Sequence, residues 1–105
     1  MELGPAILFC PGDRPDRFGK AAMAADAVIL DLEDGVAPSD KQAARAAVAA
    51  SDLDPDRTVV RVNAVSTEEF ARDLEAVASS GFRTIMLSKA ERVADLEALA
   101  GYSVI

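Results

Sequence analysis

Four short clusters hold most of the residues in this sequence whose types could do chemistry. They are Gly12-Asp13-Arg14 with Arg17, Asp31-Leu32-Glu33-Asp34, Arg61 with Asn63, and Ser88, Lys89 and Glu91. A glycine turn leading into a helix presents backbone N–H groups and the positive end of the helix dipole, which suits an anion. Arg14 would add a paired donor for a carboxylate or phosphate. The alternative has Asp13 capping the helix and Arg14 in solvent, and the segment alone does not separate the two. Three carboxylates within four residues repel one another unless a cation or an arginine compensates them. Hard oxygen donors of this kind suit Mg²⁺, which takes one or two protein carboxylates and keeps its waters. Ion pairing with Arg14, Arg61 or Lys89 is the other use for them. Arg61 interrupts Val59-Val60-Arg61-Val62, and a charge within a buried strand must be paired or must face a ligand. The plainer version of that pairing is with Glu33 or Asp34. Lys20 reads as a solvent-facing lysine, and Cys10, between Phe9 and Pro11 with no histidine in the chain, reads as core.

The elements that must position these clusters repeat along the chain. Ala6-Ile7-Leu8-Phe9-Cys10 is an apolar run cut by Pro11-Gly12, a buried strand and its turn. Phe18, Ala21, Ala22 and Ala25 then fall on one helical face, with Pro15 near the first turn. Ala27 to Leu32 is a second strand. Ser39 with Gln42 has capping-box spacing and opens a helix to about Ala50. Thr58 to Asn63 is a third strand. Ser66 with Glu69 repeats the box ahead of a stripe of Phe70, Leu74, Val77 and Ala78 that Gly81 closes. Thr84 to Leu87 is a fourth strand, and Val93, Leu96 and Ala100 mark a helix ended by Gly101. Tyr102 to Ile105 begins a fifth strand.

Strands apolar throughout are buried on both faces, which predicts parallel pairing under helices. A small doubly wound sheet and the first half of a (β/α)8 barrel both fit. Ending on an apolar strand is odd for a complete domain, so residues 1–105 read as an incomplete single domain that stops at strand five, with both architectures still open. Every chemical cluster falls at the C-terminal end of its strand, where parallel α/β folds bind ligands. The N-terminal ends at Ala6, Ala27, Thr58 and Thr84 carry nothing comparable.

Composition narrows the partners. The chain has 11 basic and 18 acidic residues, no histidine and a net charge of −7, which argues against nucleic acid. One cysteine allows no internal disulfide, and no apolar run approaches the ~20 residues of a membrane span. The expectation is a soluble, cytoplasmic protein.

The blocks LFCPGDRPDRF (from Leu8), AVILDLEDGVAPSDKQAAR (from Ala27), VVRVNA (from Val59) and IMLSKAE (from Ile85) together resemble the citrate lyase β-subunit-like branch of the HpcH/HpaI aldolase superfamily. These are CoA-ester lyases related to citryl-CoA and malyl-CoA lyases. The resemblance implies a (β/α)8 barrel, Mg²⁺ as cofactor, and reversible cleavage of a 3-hydroxyacyl-CoA to acetyl-CoA and a 2-oxoacid such as oxaloacetate or glyoxylate. It implies that Arg61 grips the oxoacid carboxylate and that Phe9, Arg14 and Lys20 contact substrate or CoA. Asp34 would lie beside the metal through its waters, with Asp31 and Glu33 as supporting acids. The family's two direct metal ligands, a glutamate ending strand five and an aspartate after strand six, fall beyond these residues. No direct metal ligand is therefore assigned here, and the 105 residues alone are expected to be inactive. Ser88 stands where many relatives have proline. A homo-oligomer, typically a trimer, is the implied assembly. Two other readings are a non-catalytic remnant that binds CoA or a subunit, and a small doubly wound receiver-like domain.

Overall fold

The computed structural model describes residues 4–87 and 101–105. Five strands alternate with helices: β1 (Ile7–Pro11), α1 (Phe18–Ala24), β2 (Ala27–Asp31), α2 (Lys41–Ala50), β3 (Thr58–Val62), α3 (Glu68–Ser79), β4 (Thr84–Leu87) and β5 (Ser103–Val104). Single 3₁₀ turns at Pro15–Arg17, Pro38–Asp40 and Pro55–Arg57 precede α1, α2 and β3. Each begins on a proline, whose fixed φ suits the first helical position and whose missing N–H is not needed there.

All pairings are parallel, and the sheet order is β1-β2-β3-β4-β5. A doubly wound sheet reverses its strand order at a switch point, and this one does not, so the receiver-like alternative fails. Monotonic order is the progression of a (β/α) barrel wall.

The alternation of side chains across the sheet explains the unbroken apolar strands. Val28, Leu30, Val60, Val62 and Ile85 join Phe18, Ala44, Val48, Phe70, Val77 and Phe82 in one buried cluster. The intervening Ile29 and Val59 point to the opposite face and are buried as well. The large exposed hydrophobics of the sheet lie on its two outer strands and just past them, at Ile7, Leu8 and Phe9 and at Val104 and Ile105.

Several local expectations need correction. Within the first helix, Phe18 is buried and Ala21 packs against the core, but Ala22 is exposed and Ala25 lies past the end of α1. Neither capping box forms. The N-caps of α2 and α3 are Asp40 and Thr67, with no side-chain cap bond at either. Gln42 and Glu69 turn instead to Arg45. On α3 the buried residues are Phe70, Asp73, Ala76 and Val77, and Ala78 is exposed. Val93, Leu96 and Ala100 lie outside the described residues. Gly101 adopts φ +96°, a left-handed turn that favours glycine.

Candidate functional site

The C-terminal ends of β1, β2, β3 and β4 bring Pro11, Asp31, Arg61 and Met86 into one row across the sheet. Asp31 sits at its centre, 3% exposed. Arg61 donates to it as a two-pronged fork, Nε to Oδ1 at 2.9 Å and Nη2 to Oδ2 at 2.6 Å. The backbone N–H of Glu33 donates to Oδ1 and that of Gly35 to Oδ2, each at 2.8 Å. Each carboxylate oxygen thus accepts two hydrogen bonds. Burial pushes the Asp31 carboxyl up, but the bonds from Arg61, Glu33 and Gly35 together hold it below the usual range. The same pairing raises the Arg61 guanidinium further, so both groups are charged.

Two glycines make this geometry fit. A Cβ on Gly35 would stand 2.7 Å from Asp31 Oδ2, so only glycine lets the amide approach the carboxylate undisturbed. The N–H of Gly12 donates to the Asp31 carbonyl at 2.8 Å, and a Cβ on Gly12 would press that same oxygen. The Pro11-Gly12 turn therefore packs β1 against the β2 tip.

Phe9 covers the guanidinium from the side, with Arg61 Cζ 5.0 Å from the ring centroid, a cation–π distance. Glu33 Oε1 lies 3.8 Å from Arg61 Nε, is buried, and accepts no hydrogen bond. Arg61 is thus held in its plane by Asp31 and on its face by Phe9. Among the described residues its Nη1 donates to nothing. A guanidinium fixed this way has one free edge to offer a carboxylate.

Phe9, Arg14 and Lys20 line a single open groove of about 530 Å³ along β1 and α1, together with Leu8, Cys10 and Arg17. The structure thus brings these three residues together in one groove, which Phe9 alone links to Arg61. Arg14 pairs with Asp16 at 3.2 Å rather than with the acids at the β2 tip, and Asp13 makes no capping bond to the turn that follows. Asp34 is exposed next to Glu33 and adds to the negative field on Arg61. Cys10 is buried, and burial raises its thiol. Ser88, Lys89 and Glu91 lie outside the described residues. The N-terminal side of the sheet is not free of charge: Asp26 accepts the Ala6 N–H at 2.9 Å and Asp54 that of Asp56 at 2.9 Å. Those carboxylates serve the backbone, whereas at the C-terminal ends they serve a side-chain cation.

A second polar network is not evident from the sequence. Asp73, fully buried on α3, accepts through Oδ2 from the backbone and side-chain N–H groups of Asn63, each at 2.7 Å, and through Oδ1 from Arg45 at 3.3 Å. Burial dominates and raises the Asp73 carboxyl, the bonds from Asn63 and Arg45 opposing it. Lys41 Nζ joins Asn63 to the β2 tip. The available signal for Asp73 was a charge between Phe70 and Val77 on an apolar helical face, the same anomaly that marks Arg61 in its strand.

Among the described residues, no group of three or more Cys, Asp or Glu side chains stands placed to hold a metal ion. Asp31 is saturated by its four donors, and Glu33 and Asp34 alone do not compose a magnesium site. Nor, among those residues, is any helix long and apolar enough to cross a membrane.

Sequentially ordered parallel strands, with an arginine clamped at their C-terminal ends, define an α/β protein of (β/α)-barrel type. More particularly, the chain belongs to the HpcH/HpaI aldolase/citrate lyase family, whose family model matches residues 6–103. It is 60% identical over 102 residues to a citrate lyase subunit beta-like protein of Mycobacterium tuberculosis, covering 97% of this chain and 37% of that protein. It superposes with a TM-score of 0.94 on the CitE protein of M. tuberculosis in complex with magnesium, acetoacetate and coenzyme A, at 59% identity over 98% of this chain and 39% of that one. A citrate lyase beta subunit from M. tuberculosis complexed with oxaloacetate and magnesium matches at the same TM-score of 0.94 and 59% identity, covering 98% of this chain and 46% of that one. The chain therefore spans less than half the length of these relatives.

Proposed function

We propose that the whole protein is a Mg²⁺-dependent carbon–carbon lyase acting on a 3-hydroxyacyl-CoA of citryl-CoA or malyl-CoA type, and that residues 1–105 are the first half of its (β/α)8 barrel. In this reaction the C2–C3 bond of the acyl chain breaks. The 3-hydroxyl gives up its proton and becomes the carbonyl of a 2-oxoacid such as oxaloacetate or glyoxylate. The bonding pair passes to the thioester enolate, which takes a proton to become acetyl-CoA. Magnesium, when bound, would polarise the oxoacid oxygens. The described residues do not form its site, and their own work is to bind and orient.

The observation that carries this reading is the clamp on Arg61. Its free edge suits the oxoacid carboxylate, and Asp31 and Phe9 fix it before substrate arrives, so little ordering remains to be done on binding. Asp31 and Glu33 are the supporting acids. Asp34, exposed beside them, would face the metal through water. Phe9, Arg14 and Lys20 line the groove we assign to the thioester, two cations suiting the phosphates of CoA. The described residues would grip ligand, with the direct metal ligands supplied elsewhere in the whole protein. We further place the full-length protein in the cytoplasm as a homo-oligomer, a trimer by family resemblance. A lone buried Cys10 is consistent with a reducing compartment.

Acetyl-CoA release from citryl-CoA and malyl-CoA by the full-length protein with Mg²⁺ tests the proposal. Arg61→Ala should lower kcat/KM by about 30- to 1,000-fold, the scale of truncating one partner of a buried charged pair, ~2–4 kcal/mol. Arg61→Lys should restore little, because an ammonium cannot hold Asp31 in a fork and still present an edge. Unchanged turnover in a folded Arg61→Ala protein would remove Arg61 from the site.

A further inference from the structure

Lys41 makes a set of bonds that neither the fold nor the grip on substrate requires. It is the first residue of α2, where the helix dipole disfavours a cation. Its side chain reaches back to the strand tips instead. Nζ donates to the carbonyl oxygens of Leu32 at 2.9 Å and Glu33 at 3.0 Å, and to Oδ1 of Asn63 at 3.0 Å. All three ammonium donors are spent on neutral acceptors, and no carboxylate of the described residues lies within ion-pair distance. Asn63 returns the tie by donating from Nδ2 to the Leu32 carbonyl at 2.8 Å and to Asp73 at 2.7 Å.

The segment pinned in this way lies between Asp31, which accepts the Arg61 fork, and Asp34. The backbone of Glu33 is held from both sides: its N–H by Asp31 and its carbonyl by Lys41. A sequence that breaks a local helix rule in order to brace a loop of acids is doing so at a site.

We propose that Lys41 is a positioning residue, which locks the Leu32-Glu33-Asp34 backbone onto the tip of β3 and so fixes where these acids stand relative to Arg61. The effect on the backbone follows from the geometry alone, whereas the effect on turnover rests on the lyase reading.

The test uses the full-length protein and Lys41→Met, with Lys41→Gln, which keeps an amide donor, as the milder variant. Hydrogen exchange at the Glu33 and Gly35 amides should quicken at least tenfold in Lys41→Met and less in Lys41→Gln. The amides of Leu30 and Val60, in the strands beneath, should stay within twofold. In steady state with a 3-hydroxyacyl-CoA and Mg²⁺, kcat should fall at least tenfold while KM for the thioester stays within threefold, because the β1–α1 groove is untouched. Unchanged exchange at Glu33 and Gly35 in both variants overturns the proposal. So does exchange that quickens uniformly along the chain, which would mark a global stabiliser. Local quickening in a protein that cleaves no thioester would sustain the positioning role and refute the lyase reading. Should Lys41→Met fail to fold, the same exchange and kinetic criteria apply to Lys41→Gln.

Discussion

Asp31→Asn is nearly isosteric, and the structure fixes what it must break. Both carboxylate oxygens accept twice, from one backbone N–H and one guanidinium N–H each. An asparagine keeps one acceptor oxygen and presents an NH₂ in place of the other. If the oxygen stays at the Oδ1 position, the Gly35 amide and Arg61 Nη2 face a donor; if at Oδ2, the Glu33 amide and Arg61 Nε do. Either flip leaves one part-buried backbone N–H unpaired and a guanidinium, with only 21% of its side chain exposed, without its counter-ion. Removing one partner of a buried ion pair costs about 3–5 kcal/mol, and an orphaned buried donor about 1–3. These penalties overlap, because Arg61 can swing toward Glu33, and about 3–4 kcal/mol is the expected loss. That is a large share of the ~5–15 kcal/mol that hold a typical domain folded. Urea unfolding followed by circular dichroism should show a lower midpoint at unchanged slope. A loss below about 1 kcal/mol would refute the idea that Asp31 is the structural anchor of Arg61.

The pH dependence of stability should carry two limbs of opposite sign. The Asp31 carboxyl is depressed in the fold, so the unfolded chain binds more protons below about pH 3.9, and its stabilisation is lost as pH falls through the folded value. Asp73 is raised by burial, so the folded chain binds more protons just above pH 3.9 and its contribution shrinks as pH rises through that window. Asp16 and Glu69, lowered by Arg14 and Arg45, add to the acid limb, so across urea midpoints between pH 2.5 and 7 Asp31→Asn should shrink that limb without abolishing it and leave the other; parallel curves would contradict this assignment. Gly35→Ala forces a Cβ to within 2.7 Å of an oxygen that cannot retreat and should cost about 1–3 kcal/mol by thermal unfolding. Gly81→Ala meets only Pro55 Cγ at 3.9 Å and serves as a near-neutral control.

The strands were legible as apolar runs, which burial on two faces explains for β2 and most of β3 but not for β1, whose Ile7, Leu8 and Phe9 are exposed; the boundaries of β1, β2 and β3 moved by a single residue. The row of Asp31 and Arg61 was legible for the converse reason, since a charge that interrupts such a run must answer to something. Its partner was less so: sequence pointed to Glu33 or Asp34, and register put Asp31 directly opposite. Side-chain direction outside the strands was not legible. Gln42 and Glu69 sit at capping-box spacing, yet Arg45, brought between α2 and α3 by tertiary packing, outcompetes the helix termini for them. Arg14 turns to Asp16, two residues away, a choice that spacing does not reveal. Lys41 went unmarked in the sequence because its three acceptors lie just past the ends of β2 and β3, which sequence does not place beside it.

The monotonic strand order has a consequence for how the molecule assembles. Each strand docks on the one synthesised just before it, and the paired residues Ile7–Ala27, Val28–Thr58, Val60–Ile85 and Thr84–Ser103 are only 19 to 30 positions apart. Among the described strands no early one has to wait for a distant one, save that β1 keeps an open edge for the strand that would close the barrel. Loop-closure entropy is collected in small instalments, and each newly emerged βα unit finds its template already in place. Folding during translation can therefore proceed from the N-terminus as a growing front, with the Asp31–Arg61 fork closing as soon as the third strand arrives.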